Sequence, residues 1–156
     1  ALAVGEAMGV DIKEGIKGLA KAELTGSRLR KIEGNSVTII DDTYNANPFS
    51  MMSALDVLKR SKADRKVAIL GDMFELGDDT EALHRQVGEY AREIGIDQVV
   101  AIGNLAKNIA DGAGGTHFED KESFIDVIND YVKPGDLVLV KASRGMKMED
   151  IVGRLK

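Results

Sequence analysis

Four short runs rich in apolar and β-branched residues recur along the chain: Val37-Thr38-Ile39-Ile40, Val67-Ala68-Ile69-Leu70, Val99-Val100-Ala101-Ile102 and Leu137-Val138-Leu139-Val140. Between them, apolar positions fall at helical spacing: Met51, Ala54, Leu55 and Leu58, then Leu83, Val87, Tyr90, Ala91 and Ile94, then Phe124, Val127, Ile128 and Tyr131. Strands that lack polar alternation are covered on both faces, and alternation with helices implies a mostly parallel sheet. The expected fold class is therefore α/β: a doubly wound, Rossmann-like sheet with helices on both faces. One segment departs from this rule. Leu29 and Ile32 lead through Gly34-Asn35 into the first run, and so short a connection makes a hairpin, not a parallel crossover. Residues 28–33 are expected as an antiparallel edge strand. Smaller features are a short strand at Thr116-His117-Phe118, a helix over about 105–110 and a turn at Lys133-Pro134-Gly135-Asp136.

Helix starts are marked locally. Asn47-Pro48 offers an N-cap followed by a proline at the first helical position. Asp78 with Glu81 has the spacing of a capping box. The first 20 or so residues read differently: Leu2, Val4, Met8 and Val10 mix with Ala and Gly, Asp11 restarts a helix, and Ile12, Ile16 and Leu19 follow at helical spacing. Two such weakly apolar helices need something else to pack on. The stretch from Lys21 to Ser27, with Thr-Gly-Ser inside it, reads as a linker. The chain begins at Ala1, already in helix, and is expected to be a piece of a longer protein.

Composition narrows the functional classes. The length of 156 residues suits one domain, and a formal net charge of −5 argues against general binding to nucleic acid or an anionic membrane. There are no cysteines, hence no disulfides, thiolate metal ligands or cysteine nucleophiles. No apolar run approaches the roughly 20 residues that span a bilayer, and a cytoplasmic location is expected. Neither G-x-x-x-x-G-K-[ST] nor G-x-G-x-x-G occurs, so a nucleotide's phosphates would be held mainly by another domain. His84 and His117 stand apart from any metal-ligand spacing and are expected to be structural; no metal ligands are assigned.

Polar residues gather where the predicted strands end: Asp41-Asp42, Gly71-Asp72, Gly103-Asn104 and Lys141 to Arg144. Ligands of open α/β sheets sit beyond these carboxyl ends, although strand ends are also simply loops. The densest segment is Asp41-Asp42-Thr43-Tyr44-Asn45-Ala46-Asn47-Pro48. Its carboxylates can accept from a ribose hydroxyl or bind a metal indirectly, and its asparagines can pair with a base or a phosphate. A turn with an N-cap explains Asn47-Pro48 but not the doubled Asp with Tyr44 and Asn45.

The segment Asp41 to Met51 closely resembles a signature of the Mur ligases, in the members that add the last dipeptide to the peptidoglycan precursor. Leu70-Gly71-Asp72-Met73-Phe74-Glu75-Leu76-Gly77, with Leu83-His84-Arg85-Gln86-Val87-Gly88 downstream, resembles a second family motif. Val140 to Glu149 resembles a third. The resemblance runs from about Gly26 to the C-terminus and implies that residues 26–156 are the family's C-terminal domain. Residues 1–25 resemble the closing helices of the preceding ATP-binding central domain and the linker.

The resemblance also implies the chemistry. ATP activates a substrate carboxylate as an acyl phosphate, and the amine of D-alanyl-D-alanine attacks it on the UDP-N-acetylmuramoyl-tripeptide. ATP and Mg2+ would be held mainly by the central domain, and the isolated fragment is expected to be inactive, without bound cofactor. By resemblance, Arg28 faces the ATP phosphates and Asp42 contacts ATP at the domain interface; these two are the catalytic assignments. Tyr44, Asn45 and Asn47 shape the adenine or ribose edge, with Asn47 also readable as a cap. Asp41 is the weaker alternative to Asp42. For the dipeptide, Lys141, Ser143 and Arg144 suit the carboxylate, Asp72 and Glu75 suit the ammonium or orient those cations, and Met73-Phe74 suits an apolar wall. The partners implied are the two substrates and the protein's own central domain, in a monomer, without nucleic acid or membrane. Two alternatives stand beside this: a free-standing α/β interaction module, or the C-terminal domain of another Mur or folylpolyglutamate-type ligase. Those relatives carry a shorter Asp-Tyr-Ala-His-like segment.

Overall fold

The computed structural model describes residues 1–21 and 27–156, so the expected linker and the boundary at residues 25 and 26 fall mainly outside the described residues. At the N-terminus, α1 (Leu2–Ala7) and α2 (Ile12–Ala20) pack on each other, and none of their residues is buried. Asp11 caps α2 by accepting from the backbone N–H groups of Lys13 and Glu14.

The remainder alternates strand and helix: β1 (Arg30–Glu33), β2 (Thr38–Asp42), α3 (Pro48–Arg60), β3 (Lys66–Gly71), α4 (Thr80–Glu93), β4 (Gln98–Ile102), α5 (Lys107–Ala113), β5 (Thr116–Phe118), α6 (Lys121–Tyr131), β6 (Leu137–Lys141) and α7 (Glu149–Leu155). The six strands form one sheet in the order β1-β2-β6-β3-β4-β5. β1 pairs antiparallel with β2 at one edge, as the short hairpin required, and every other neighbouring pair is parallel.

Side-chain alternation along the strands separates two cores. Ile40, Ala68, Leu70, Ala101 and Leu139 face one side, where Met51 and Leu55 of α3, Val87 of α4 and Ile109 of α5 cover them. Ile39, Val67, Ile69, Val100, Val138 and Val140 face the other, against Phe124 and Ile128 of α6 and Ile151 and Leu155 of α7. Each fully buried aliphatic or aromatic side chain contributes about 1.5–3 kcal/mol by leaving water. The last strand, β6, lies between β2 and β3. The chain therefore leaves β2 and β3 toward the α3 and α4 face, but leaves β6 toward the α7 face. Neighbouring strands whose exits diverge open a crevice at their carboxyl ends, and β6 has one on each side.

Asn47 caps α3 as expected. Its Oδ1 accepts from the Ser50 N–H at 2.8 Å, the Ser50 hydroxyl accepts from the Asn47 N–H, and Pro48 follows at the first helical position. Two local expectations are corrected. The capping box of Asp78 with Glu81 does not form, because a 3-10 turn over Gly77–Asp79 runs straight into α4 and denies Asp78 the extended backbone a cap needs. The helix expected over about 105–110 begins at Lys107 and extends to Ala113, because the chain before it forms a turn in which the Asn108 and Ile109 N–H groups reach back only three residues, to the Leu105 and Ala106 carbonyls.

α4 and α5 touch backbone to backbone. A Cβ on Gly88 would lie 2.0 Å from the Ile109 carbonyl oxygen, and one on Gly112 would lie 2.4 Å from that of Arg85. In an exposed helix, replacing Gly by Ala gains roughly 0.5–1 kcal/mol. Here the collision outweighs that gain, because overpacking costs about 1–3 kcal/mol. Gly88→Ala is therefore expected to lower the urea midpoint, and a raised midpoint would show that the helices separate freely.

Candidate functional site

Asp42 and Lys141 are register partners on adjacent parallel strands. Each stands two residues beyond a side chain of the α3 face, Ile40 and Leu139, so both side chains point to that face. The Lys141 ammonium lies 2.6 Å from Asp42 Oδ2 and donates to the Asn45 carbonyl oxygen at 2.7 Å. Lys141 is only 2% exposed. The other oxygen of Asp42 accepts from the Leu29 N–H at 3.1 Å, which ties the start of the edge hairpin to the end of β2. Asp41 turns back to its own loop, accepting from the Thr43 N–H and hydroxyl.

Above this pair lies an open depression of about 450 Å3. Arg28, Tyr44, Asn45, Asn47 and Phe49 line it, with Asp42 and Lys141 at its floor. The Arg28 guanidinium sits 4.0 Å from the centroid of the Tyr44 ring. That cation–π contact, worth about 0.5–1 kcal/mol at an exposed site, orients the guanidinium and leaves its N–H groups available.

A second depression, of about 590 Å3, opens between the ends of β3 and β6 and shares Tyr44 to Asn47 with the first. Its other wall carries Phe74, Glu75, Ser143 and Arg144. The loops after β3 and β6 are fastened in both directions: the Ser143 N–H donates to the Asp72 carbonyl at 3.0 Å, and the Phe74 N–H donates to the Ser143 hydroxyl at 2.9 Å. Gly145 has no side chain because Phe74 lies across it; a Cβ there would meet the ring at 2.9 Å. Arg144 is exposed and lies 3.2 Å from Glu149.

Asp72 points away from both depressions toward the turn after β4. Its Oδ1 takes the Ala106 N–H, and its carboxylate would stand 2.5 Å from a Cβ on Gly103, whose φ is +114°. Burial pushes its carboxyl above the ordinary value, against backbone N–H bonds from Ala106, Leu105 and Asn104 that lower it. His117, half-buried, bonds through Nε2 to the Gly103 carbonyl at 2.8 Å.

The profile of the Mur ligase glutamate ligase domain matches residues 27–144. The chain belongs to the Mur ligase family. It is 37% identical over 161 residues to the UDP-N-acetylmuramoyl-tripeptide–D-alanyl-D-alanine ligase of Bacillus subtilis, with 97% of this chain and 35% of that protein covered. A crystal structure of MurF from Acinetobacter baumannii superposes with a TM-score of 0.86 at 33% identity, over 97% of this chain and 35% of that one. MurF ligase from Thermotoga maritima, solved in complex with ADP, gives a TM-score of 0.81 at 29% identity, over 99% and 35%. This Mur ligase chain thus spans about a third of the length of the curated relatives it matches.

Within this Mur ligase domain, the candidate residues separate by what their side chains already do. Arg28, Tyr44, Asn45, Glu75, Ser143 and Arg144 face the two depressions. Lys141, expected as an open cation, is closed off under Asp42 and the Asn45 carbonyl. Asp72 is engaged by backbone, and the Asn47 oxygen is engaged as a cap. Phe49, 80% exposed on the wall of the first depression, was not singled out from the sequence. Its signal was present: it stands off the apolar stripe of Met51, Ala54, Leu55 and Leu58. Among the described residues, no group of three or more His, Cys, Asp or Glu could hold a metal ion.

Removing one partner of a buried ion pair costs about 3–5 kcal/mol, whereas replacing both is often close to neutral. Lys141→Met is expected to lose stability on that scale, with most of it recovered in Asp42→Asn/Lys141→Met. A urea-unfolding double-mutant cycle with additive losses would remove the pair from this role. For Asp72, a raised folded pKa means that the fold favours the neutral carboxyl: its contribution to stability is fully present below the unfolded value near 4 and is lost as pH rises through the folded value and the buried group takes on charge. Asp72→Asn keeps an acceptor for Ala106 and should lie within about 1 kcal/mol of wild type at pH 7, with a flatter acid-range profile, while Asp72→Ala should lose about 1–3 kcal/mol. Equal losses for the two variants would contradict this account.

Proposed function

We propose that this chain is the C-terminal domain, with the last helices of the central domain, of a cytoplasmic ligase that joins D-alanyl-D-alanine to UDP-N-acetylmuramoyl-tripeptide with cleavage of ATP. The observation that carries the reading is one crevice system with two chemically distinct walls meeting at Tyr44 to Asn47. A reaction joining two bound substrates needs such adjacent subsites, because alignment supplies much of the rate. The names of relatives above 35% identity support this substrate pair over those of other Mur or folylpolyglutamate-type ligases.

The residues at β2 fit a nucleotide. Arg28 offers a planar fork of donors to a phosphate, while Tyr44 and Phe49 present exposed aromatic surface and Asp42 retains acceptor capacity for a ribose hydroxyl. Lys141 holds Asp42 and the Asn45 backbone in place instead of meeting substrate. The residues do not fit a Mg2+ site, and no role here runs through one. At the β3 side, Arg144 and the Ser143 hydroxyl suit the dipeptide carboxylate, Glu75 suits its ammonium, and Phe74 supplies an apolar wall. The domain acts as a monomer that closes on its own central domain.

The test is steady-state kinetics of the complete ligase. Arg28 is exposed, so its loss should leave folding intact. Losing a charged hydrogen bond is worth about 1.5–3 kcal/mol, roughly tenfold to a hundredfold. Arg28→Ala should raise KM for ATP, or lower kcat, on that scale without changing KM for the dipeptide; Arg144→Ala should do the reverse. Identical profiles for the two variants would defeat the two-wall assignment. The 156-residue chain alone should release no phosphate from ATP.

A further inference from the structure

His84 is fully buried in α4, outside both depressions, and the roles above make no use of it. Its Nε2 lies 2.9 Å from the Met73 backbone nitrogen, and its Nδ1 lies 2.7 Å from the Thr80 carbonyl oxygen. A backbone N–H only donates, so Nε2 must be the bare, accepting nitrogen. Nδ1 then carries the proton and donates to Thr80, one helical turn back. The ring is thereby fixed as the neutral Nδ1–H tautomer, with each nitrogen used once.

What this ring holds is the loop after β3. Met73 gives its N–H to His84, and the next residue, Phe74, gives its N–H to Ser143. Glu75 then adopts φ +63°, a left-handed conformation that costs a non-glycine residue about 1–3 kcal/mol and persists only where its surroundings enforce it. Phe74 and Glu75 are the two residues that this loop contributes to the wall facing Ser143 and Arg144.

We propose that His84 is a positioning residue: as the acceptor for Met73, it holds the Met73–Glu75 loop in the strained shape that presents Phe74 and Glu75 to the incoming amine substrate. The inference rests on the reading of this wall as the dipeptide subsite. It requires that losing the acceptor loosens the loop and weakens dipeptide binding while the nucleotide wall, built from the ends of β1, β2 and β6, stays intact.

The experiment compares wild type, His84→Leu and His84→Gln in the complete ligase, varying ATP and D-alanyl-D-alanine separately and following amide hydrogen exchange at Met73. Glutamine keeps an acceptor near the place of Nε2, and leucine keeps only bulk. For loss of one buried hydrogen bond, His84→Leu should speed Met73 exchange and raise KM for the dipeptide about tenfold each, with KM for ATP within about twofold. His84→Gln should restore both to within about threefold of wild type. Unchanged Met73 exchange, equal losses for leucine and glutamine, or a KM rise shared with ATP overturns the proposal. If the leucine variant does not fold, the ring 15N shifts of wild type decide: an Nε2–H tautomer overturns it, and an Nδ1–H tautomer with a protected Met73 amide supports it. If wild type does not use the dipeptide, the proposed function fails, whereas the Met73 exchange and the tautomer still test His84.

Discussion

A lysine ammonium removed from water needs a counter-charge and hydrogen-bond acceptors at close range, and the register of β2 against β6 supplies both. Asp42 stands directly opposite Lys141, and the Asn45 carbonyl completes the ammonium's surroundings. The pair exists only because β6, last of the strands in the chain, inserts between β2 and β3. It joins the loop that carries Tyr44, Asn45 and Asn47 to the end of the strand that leads into Ser143 and Arg144, so the two walls of the crevice share one buried anchor. Through the Leu29 N–H, the same carboxylate also holds the start of the edge hairpin beside Arg28.

Charge burial of this kind is weak evidence for stability, since an apolar pair of similar shape is often as stable. Its consequence here is geometric. With the ammonium neutralised below, the exposed cations on the walls are the two arginines: Arg28, held by the Tyr44 face, and Arg144, held beside Glu149. Guanidinium groups keep their charge at every accessible pH and present planar donor sets. The buried lysine fixes the backbone, and the surface arginines remain for anionic ligand groups.

The fold was legible in the sequence because fully buried strands announce themselves as short apolar runs, and the hairpin by a connection too short for a crossover. Asn47-Pro48 was legible as a cap because capping depends on only four residues. The side-chain partners at the strand ends were not. That Lys141 would meet Asp42, 99 residues earlier in the numbering, depends on strand order, which chain order does not encode. That Asp72 would turn to Ala106 depends on the tight approach at Gly103. The Asp78 cap misled because the capping spacing carries no information about the 3-10 turn that precedes the helix.

The two walls differ in how their shape is maintained. The β2 loop ends on a self-contained helix cap and rests on the buried ion pair, so its geometry follows from contacts that any substrate would find already made. The β3 loop has no such frame: its N–H groups reach a histidine on one side and a serine on the other, and Glu75 is held in a backbone conformation it would not adopt alone. Strain of this sort persists only where several contacts over-determine it. Ser143, the acceptor on one side, itself lines the second depression, so a ligand competing for its hydroxyl would act directly on the Phe74 N–H. His84 lies behind the loop, out of a ligand's reach, and supplies the acceptor that does not change when the depression fills.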